Sequence, residues 1–407
     1  MLLKDQGYDV FGVFMRNWDE SEETGNANCT VEADYAQAQS VCRHIGVPLH
    51  EVDFVRQYWT HVFSDFVAQC EAGVTPNPDL ACNRHIKFGA LLEHCKSLGA
   101  DMVATGHYAR VQRCANSGQL QLLRGVDPLK DQSYFLASIH GSCLAEVAFP
   151  LGGITKEHVR QLAMERGIPS AARQSSSGIC FIGRRTFGDF ISNYTEPVVG
   201  RFEDVTTGQD VGPCANMLAV TLGQGSGISG LKSRMYVVGK DMQSQRVYVA
   251  PAQGHPSLFT SSAALQEAHW IAGQPPQELQ QGKGLSCSFK ARYRQAPQSC
   301  TVSVPSDTRG VCKPSRFTRL RGVWPSAGLY VAFKDSARAI TPQQAFVMYQ
   351  GEVCLGSAPI LYPGQTLYEM EIPAHGREDL QQPGAISPQA LHSAHKEVDM
   401  RNLTYAN

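Results

Sequence analysis

The sequence contains no long hydrophobic run and no recognisable secretory signal. A membrane-spanning helix needs about 18 or more consecutive apolar residues, and no such run occurs. The first residues, Met1 to Gly7, lack the basic end and the long apolar stretch of a signal peptide. We therefore predict neither a membrane span nor a membrane partner.

The 13 cysteines are scattered along the chain, and no two of them form a C-x-x-C pair. This absence excludes a zinc ribbon and a thioredoxin motif, and we predict no metal site. Cysteines without a disulfide framework are typical of a reducing compartment, which means the cytosol, the nucleus or the mitochondrial matrix.

Net charge is also nearly absent, because 36 basic residues are balanced by 37 acidic ones. The overall electrostatic field therefore does not attract phosphate, and a nucleic-acid partner would have to bind local basic patches.

The length of 407 residues is more than one ordinary hydrophobic core accommodates, so it predicts two or three domains.

Apolar runs alternate with helical patterns in the first part of the chain. Predicted strands cover 8–15, 49–54 and 102–105, and predicted helices cover 33–45, 59–72 and 86–98. This alternation is typical of an α/β fold with a doubly wound parallel sheet, whose ligands bind beyond the carboxyl ends of the strands. Met15, the segment 79–82 and the segment Thr105-Gly106-His107 all lie at such ends.

The pattern changes after about Tyr194 to glycine-rich segments and short β-rich runs. We assign residues 1–194 to the α/β domain, 195–258 to a small central β-rich domain and 259–363 to a C-terminal β-barrel or sandwich. Predicted strands include 218–222, 235–238, 246–249, 285–290 and 329–333. Residues 364–407 are polar and aperiodic, which predicts a disordered tail.

Two cysteines lie in segments rich in proline or glycine: Cys82 in TPNPDLACN at 75–83, and Cys180 in SSGICFIG at 176–183. Because proline fixes φ and glycine permits unusual φ, both segments are predicted as turns that hold a thiol in place. A single cysteine is more often a small buried hydrophobe. Two such thiols suit a relay in which one carries sulfur and the other resolves it.

Basic residues follow both cysteines. Arg84, His85 and Lys87 come after Cys82, and an Arg-Arg pair at 184–185 follows Cys180. Positive charge nearby favours the reactive thiolate. The alternative is that these residues contact RNA phosphate or solvent.

Several longer segments carry a family resemblance. They are FMRNWDE at 14–20, TPNPDLACNRHIKF at 75–88, ATGHYAR at 104–110, LKDQSYFL at 129–136, FPLGGITK at 149–156, GICFIG at 178–183, VTLGQGSGISGL at 220–231, ARYRQ at 291–295 and ITPQQAFVMYQGEVCLGS at 340–357. In this order they resemble the tRNA-specific 2-thiouridylase family, which places sulfur on C2 of the wobble uridine. His85 and the segment 269–271 are similar to mitochondrial members, so we expect a mitochondrial location, with the cytoplasm as the alternative.

The resemblance implies an ATP-pyrophosphatase-like α/β domain and a defined chemistry. ATP, with Mg²⁺ as its counter-ion, adenylates the C2 oxygen, sulfur attacks, and AMP leaves. Cys180 carries the persulfide and Cys82 attacks it, releasing sulfide or leaving a disulfide. Asp79 is a proton acceptor or a contact to the uridine. The implied partners are tRNA and a persulfide donor, either a cysteine desulfurase or a sulfur-relay protein.

The resemblance also implies binding residues. Met15 and Gly106 contact the nucleotide, and Gln344 lies near the RNA-binding surface. His107 has either a site role or a structural one. The residues implied to contact tRNA are Asn77, Pro78, Asp79, Lys130, Asp131, Gln132, Arg292 and Tyr293, and we expect Arg292 and Tyr293 to lie on a basic strand suited to phosphate contact and base stacking.

One family feature is absent from the 407 residues: the SGGxDS loop that cradles ATP phosphates. We expect the chain to be a truncated product, an alternative isoform or an incomplete gene model. A tRNA-binding protein without catalysis is therefore a second hypothesis. A third is an ATP-pyrophosphatase of other specificity, against which the pair Cys82 and Cys180 argues. The stretch 307–328 looks like an insertion relative to the sequences of the family.

Overall fold

The computed structural model describes residues 1–18, 30–173, 178–183, 185–305, 312–321 and 325–370. Arg184, parts of the expected insertion and residues 371–407 of the expected tail lie outside the described residues. No helix in the described ranges is long and apolar enough to span a membrane.

Among the described residues of the first region there are six strands. They are β1 Gly12–Arg16, β2 Leu49–Asp53, β3 Val103–Ala104, β4 Ala109–Arg113, β5 Leu120–Arg124 and β6 Val147–Ala148. Strand β1 pairs in parallel with β2, and β3 pairs in parallel with β6. The predicted parallel α/β arrangement is therefore confirmed. Within the described residues the two parallel pairs form separate two-stranded sheets.

Helices alternate with these strands, as the sequence predicts. Their bounds are Leu2–Asp5, Thr30–Ile45, Ser133–Leu136, Lys156–Glu165 and Phe187–Ile191, with a 3₁₀ turn at Gly141–Ala145. Two longer helical runs contain wider π-type turns: Val55–Tyr58 continues through Trp59–Phe63 into Ser64–Glu71, and Pro78–Ala81 continues through Cys82–Ala90 into Leu91–Ser97. We call the second run, residues 78–97, the cysteine helix.

The cysteine helix corrects the prediction of a turn around Cys82. It begins at Pro78, eight residues before the expected start. The Asn77 side chain accepts a hydrogen bond from the Asp79 N–H at 3.2 Å, and Pro78 occupies the first helical position. Asparagine as N-cap and proline directly after it are typical of a helix start, so the same residues that indicate a turn here initiate a helix.

The central region is a four-stranded sheet. Its strands are β7 Gly200–Asp204, β8 Asp210–Cys214, β9 Met235–Asp241 and β10 Arg246–Pro251, in the order β8-β7-β10-β9. The strand expected at 218–222 is instead a short 3₁₀ turn, Met217–Ala219, with the Asn216 side chain as its N-cap.

The last region is a closed barrel. Its strands are β11 Phe259–Leu265, β12 His269–Trp270, β13 Leu285–Lys290, β14 Gln298–Ser303, β15 Leu329–Arg338, β16 Ala345–Gln350 and β17 Val353–Pro363, with helical turns at Pro256–Leu258 and Gln277–Gln280. Six of them close in the order β11-β15-β14-β13-β16-β17 and back to β11. The predicted barrel is therefore confirmed. Strand β5 joins it where Leu123 pairs with Val353.

Two boundaries in this region differ from the sequence predictions. Strand β13 ends at Lys290, and residues 291–295 form a turn in which the Gln295 side chain accepts from the Ala291 N–H at 2.9 Å. The basic segment is therefore not a strand. Residues 364–370, assigned to the tail, are hydrogen-bonded, since the Leu367 N–H donates to the Phe259 carbonyl at 2.8 Å.

Candidate active site around two cysteines

Cys82 lies one turn along the cysteine helix from Asp79, so both side chains share one face. The Cys82 side chain is buried, with 5% of its surface exposed. Burial raises its thiol pKa to about 12, while Lys87 opposes the shift and the charges of Cys180 and Asp79 add to it. Cys82 is therefore a protonated, enclosed thiol at neutral pH.

Cys180 lies in the turn 178–183, whose end glycines Gly178 and Gly183 have φ values of 105° and 62°. Such positive φ values favour glycine, so the predicted turn is found here. The next residue, Phe181, is fully buried and anchors the turn. Cys180 as a residue is exposed at the surface. Protein nevertheless surrounds its sulfur, and the resulting desolvation raises the thiol pKa.

A buried tyrosine connects this turn with the helix before it. The hydroxyl of Tyr58 lies 3.5 Å from the Cys180 Sγ, and its ring packs against Trp18 and Phe181. The hydrogen bond with Tyr58 lowers the pKa of Cys180, against the larger effect of desolvation. Sequence reasoning missed Tyr58, because nothing in the local pattern of residues 55–71 indicates a partner that is 122 positions away.

The structure brings the two cysteines into one site. Each influences the ionisation around it: Cys180 raises the pKa of Cys82, and both cysteines together with Asp79 raise the pKa of Tyr58 beyond the effect of burial. Lys87 lowers the pKa of both thiols. We call Tyr58, Asp79, Cys82, Lys87 and Cys180 the two-cysteine site.

The basic neighbours do not have the net effect on the thiols that the sequence predicts. Burial outweighs Lys87, so both thiol pKa values rise. Arg185 donates to the carbonyls of Phe181 at 2.6 Å and Ile182 at 3.2 Å, and its guanidinium lies over the Phe190 ring. This arginine therefore supports the turn structurally.

The segment before the cysteine helix is held by the other two regions. The Gln344 Nε2 donates to the carbonyls of Thr75 at 2.7 Å and Pro76 at 3.3 Å. The Thr75 hydroxyl lies 3.1 Å from that of Thr221 in the central region. Gln344, which the resemblance places near the RNA surface, thus positions the segment that presents Asn77 and Asp79.

Asp131, which the resemblance implies as a tRNA contact, is buried and makes contacts within the protein. It is 1% exposed, its Oδ1 accepts from Gly125 N–H and Ser133, and its Oδ2 lies 3.1 Å from Arg124 Nε and 3.8 Å from Lys290 Nζ. This carboxylate joins the first region to the barrel, because it is shared by cations from β5 and β13.

The neighbours of Asp131 also make internal contacts. The Gln132 Oε1 accepts from the Tyr108 N–H at 3.0 Å, and the Lys130 carbonyl accepts from the Tyr293 hydroxyl at 3.3 Å. The Lys130 side chain is only partly buried. Lys130 and Gln132 are both partly exposed, whereas Asp131 between them is buried.

Arg292 and Tyr293 are partly buried and make contacts within the protein, and their expected phosphate contact and base stacking remain predictions. The Arg292 guanidinium donates to the carbonyls of Arg338 at 3.0 Å and of Ala339, and burial lowers its pKa to about 10. The Tyr293 ring packs against Phe135, with ring centroids 4.5 Å apart. Both residues stabilise the turn after β13.

The residues expected at a nucleotide lie at two strand ends. Met15 is the next-to-last residue of strand β1, and Gly106 follows β3, where a Cβ atom would meet only Leu151 at 3.7 Å. The backbone at Gly106 is therefore open to a flat ligand such as adenine. The sequence supplies no SGGxDS loop for the phosphates.

His107 is buried between the rings of Phe88 and Phe149, and its Nδ1 lies 2.7 Å from the Thr105 hydroxyl. Burial lowers its pKa to about 3, and Lys87 adds to the shift. The imidazole is therefore neutral at pH 7, as expected for a structural histidine. The described residues contain no cluster of three or more side chains suited to a metal ion.

Comparison with known proteins gives the same two regions. Residues 1–184 match the tRNA methyl transferase HUP domain, and residues 322–360 match the aminomethyltransferase beta-barrel domain. The chain is 41% identical to the tRNA-specific 2-thiouridylase MnmA of Marinobacter nauticus, over 88% of this chain and 86% of the relative. Identity is 40% with the MnmA of Alkaliphilus oremlandii and 41% with that of Pseudomonas paraeruginosa, over 88% of this chain and 92% and 90% of those proteins. The chain belongs to the tRNA-specific 2-thiouridylase MnmA family.

Proposed function

We propose that this protein transfers sulfur to C2 of the wobble uridine of tRNA, with Cys180 as the persulfide carrier and Cys82 as the resolving thiol. The observation that supports this proposal is that the two cysteines of the site differ in exposure. Cys180 is exposed, so an external persulfide donor can reach it, whereas Cys82 is buried. Only a neighbour inside the site, such as a persulfide on Cys180, is accessible to Cys82.

The transfer balances as a thiol–disulfide exchange. The Cys82 thiolate attacks the Cys180 Sγ, the bond between Cys180 and its outer sulfur breaks, and that sulfur keeps the electron pair. It leaves as hydrosulfide, which then displaces AMP from C2. In the other order, the outer sulfur would first attack C2 and displace AMP, and the attack of Cys82 would then leave it on C2. A Cys82–Cys180 disulfide remains, and an external dithiol must reduce it before the next turnover. The two thiols are reduced in this structure.

The attacking thiol must first lose its proton, because its pKa of about 12 keeps it protonated at neutral pH. Asp79 lies one helical turn away, and burial raises the pKa of its carboxyl group. A raised pKa makes this carboxylate a better proton acceptor. We assign the Asp79 carboxylate as the acceptor of the Cys82 proton, and Lys87 stabilises the thiolate that forms.

ATP, when bound with Mg²⁺, supplies the leaving group by adenylating the C2 oxygen. The chain's own contribution is the adenine end, at Met15 and Gly106. The substrate base has to leave the anticodon stack to reach the site. The start of the cysteine helix presents the Asn77 amide and the Asp79 carboxylate, which suit the polar edge of a uracil ring.

The relay is tested by sulfur loading, which does not require ATP. Wild type, Cys82→Ser, Cys180→Ser and the control Cys114→Ser are incubated with a cysteine desulfurase and cysteine, and persulfides are located by alkylation and mass spectrometry. We expect Cys82→Ser to accumulate a persulfide on Cys180. Wild type and Cys114→Ser should release hydrosulfide and form the Cys82–Cys180 disulfide, and Cys180→Ser should do neither.

A Cys180→Ser variant that still releases hydrosulfide at the wild-type rate would overturn the assignment of the carrier. The second measurement is thiolated tRNA, seen as retardation on a mercury-containing gel, in a chain that carries an SGGxDS segment. Both serine variants should give no product there. Near-normal product from either variant contradicts the relay.

The alternative function is tRNA binding without catalysis, which the absence of an SGGxDS motif from the sequence favours. A phosphate cradle needs consecutive backbone donors at a helix start, so these 407 residues alone should bind ATP weakly. The two functions separate in one assay: the printed chain, tRNA, ATP and a loaded donor. Retention of tRNA without thiolated product supports the alternative, and product supports the enzyme.

We also propose a mitochondrial location, on the likeness of His85 and the segment 269–271 to mitochondrial members. Fractionation of cells that express the native gene with a C-terminal tag tests this. A purely cytosolic signal would refute it.

A further inference from the structure

Outside the two-cysteine site, the barrel brings a second pair of thiols together. Cys287 on β13 and Cys300 on β14 are direct partners in the antiparallel ladder, and their Sγ atoms are 3.6 Å apart. Opposite residues in such a ladder have Cα atoms about 4.5–5.5 Å apart, within the range of about 4.4–6.8 Å in which a disulfide closes. These two thiols therefore need only side-chain rotation, and no backbone movement, to form a disulfide.

The two thiols differ in exposure and in acidity. Cys300 is buried in the barrel core with 5% of its surface exposed, whereas Cys287 is partly exposed at the edge of the same core. The hydrogen bond between them lowers the pKa of Cys287 and raises that of Cys300. An accessible thiol that ionises first, backed by a second thiol, is the usual arrangement of an oxidation-sensitive pair.

We propose that Cys287 and Cys300 form a reversible oxidation site that reacts with small disulfides such as oxidised glutathione. The site is separate from the sulfur relay, because its cysteines lie on barrel strands and make no contact with Cys82 or Cys180 among the described hydrogen bonds. Neighbouring strands, and not a sequence motif, create it.

The reaction proceeds in two balanced exchanges. The Cys287 thiolate attacks one sulfur of oxidised glutathione, forms a mixed disulfide and releases one glutathione thiolate. Cys300 then loses its proton and attacks the Cys287 Sγ, which releases the second glutathione thiolate and leaves the Cys287–Cys300 disulfide. The protein loses two electrons and two protons in total, and oxidised glutathione becomes two molecules of glutathione.

The test uses the full chain with Cys82 and Cys180 replaced by serine, so that the relay disulfide cannot form. The protein is equilibrated with oxidised and reduced glutathione at several ratios, alkylated and digested with trypsin. Cleavage places Cys287 in peptide 284–290 and Cys300 in peptide 295–309. We expect these two peptides to become disulfide-linked as the oxidised fraction rises, and to separate after treatment with dithiothreitol.

Single substitutions resolve the order of the two exchanges. Cys300→Ser should stop at a mixed disulfide of Cys287 with glutathione, and Cys287→Ser should leave the buried Cys300 at least tenfold less reactive. Cys114 is the matched control, since it is partly exposed and has a lowered pKa but shares the β4–β5 hairpin with no other cysteine. It should stop at the mixed disulfide in every variant.

Two outcomes would overturn the proposal. One is that peptide 284–290 remains alkylated at a glutathione ratio that modifies Cys114. The other is that Cys287 stops at the mixed disulfide although Cys300 is present.

Discussion

Tyr58 shows how a single side chain tunes the site. Its hydroxyl is buried, its ring is held by Trp18 and Phe181, and the Cys180 Sγ is 3.5 Å away. The high pKa of this phenol keeps its proton in place, because burial and the neighbouring thiols and Asp79 all disfavour the phenolate. Tyr58 is therefore the donor to the sulfur once Cys180 ionises, and this hydrogen bond stabilises the thiolate.

Tyr58→Phe should raise the pKa of Cys180, because the hydrogen bond that lowers it is removed. The sign follows from the thiolate being the form that alkylates: a higher pKa means a smaller thiolate fraction at a given pH. The alkylation profile of Cys180 against pH should shift to higher pH, with rates about tenfold lower at pH 8 for a loss near 1.4 kcal/mol, typical of a hydrogen bond to a charged group.

The control for this prediction is Tyr368→Phe, which also removes one tyrosine hydroxyl, the donor to the Val205 carbonyl at 3.1 Å. Its Cys180 profile should match wild type. A Tyr58→Phe profile that coincides with wild type, in a variant that remains folded, contradicts the role of the hydroxyl.

The residues named from the sequence divide according to whether a local pattern specifies their surroundings. Cys82, Asp79 and Cys180 were predictable as a group, because the TPNPD and SSGICFIG segments are distinctive in themselves. The internal contacts of Arg292 and Asp131 were not predictable, since a charged residue has the same local pattern whether it faces solvent or the groups it contacts inside the protein. Their surroundings come from residues distant in sequence.

At the scale of the element, Asp131 connects β5 with β13. Its carboxylate satisfies the Gly125 and Ser133 N–H groups and faces the cations of Arg124 and Lys290. Lys290 is 2% exposed, and burial lowers its pKa while Asp131 raises it. Removal of the carboxylate would leave buried cations without their counter-charge.

Asp131→Ala should lower the free energy of unfolding by about 3–5 kcal/mol, the usual cost of breaking a buried ion pair from one side. Glu352→Ala is the matched control: its carboxylate pairs with Arg110 at 2.9 Å but is 68% exposed, so its loss should cost about 0–1 kcal/mol. Urea unfolding followed by circular dichroism measures both. Equal costs would contradict a structural role for Asp131, and a loss confined to tRNA affinity would favour the direct contact implied by the family resemblance.

On the scale of the whole molecule, three regions meet at the start of the cysteine helix. Gln344 from the barrel holds the Thr75 and Pro76 carbonyls, and Thr221 from the central region meets the Thr75 hydroxyl. A further contact joins the barrel to the central region, where Arg338 donates to the Gly223 carbonyl at 3.0 Å. The geometry of the reactive cysteine thus depends on all three regions.

The architecture was largely predictable, because alternating strands and helices and then short β runs indicate an α/β region and a barrel. The meeting of the three regions at Thr75 was not predictable. It depends on a hydrogen bond between residues 269 positions apart, and no periodicity or turn signal encodes such a pairing. For the same reason, the sequence did not predict that Cys287 and Cys300 lie opposite each other, because this pairing follows from the register of two strands.

Gln344→Ala should loosen the segment that leads into the cysteine helix. Two hydrogen bonds are lost, each worth about 1 kcal/mol, so local opening should become roughly 30-fold more frequent. Hydrogen exchange of the amides at 77–82 measures this opening, and alkylation of the buried Cys82 should accelerate with it. The neighbouring Gln343→Ala is the control, because Gln343 contributes a backbone N–H to the Ile360 carbonyl and keeps it after substitution. If exchange at 77–82 is the same in both variants, the barrel does not hold the reactive segment, and its link to the site has to run through Thr221 instead.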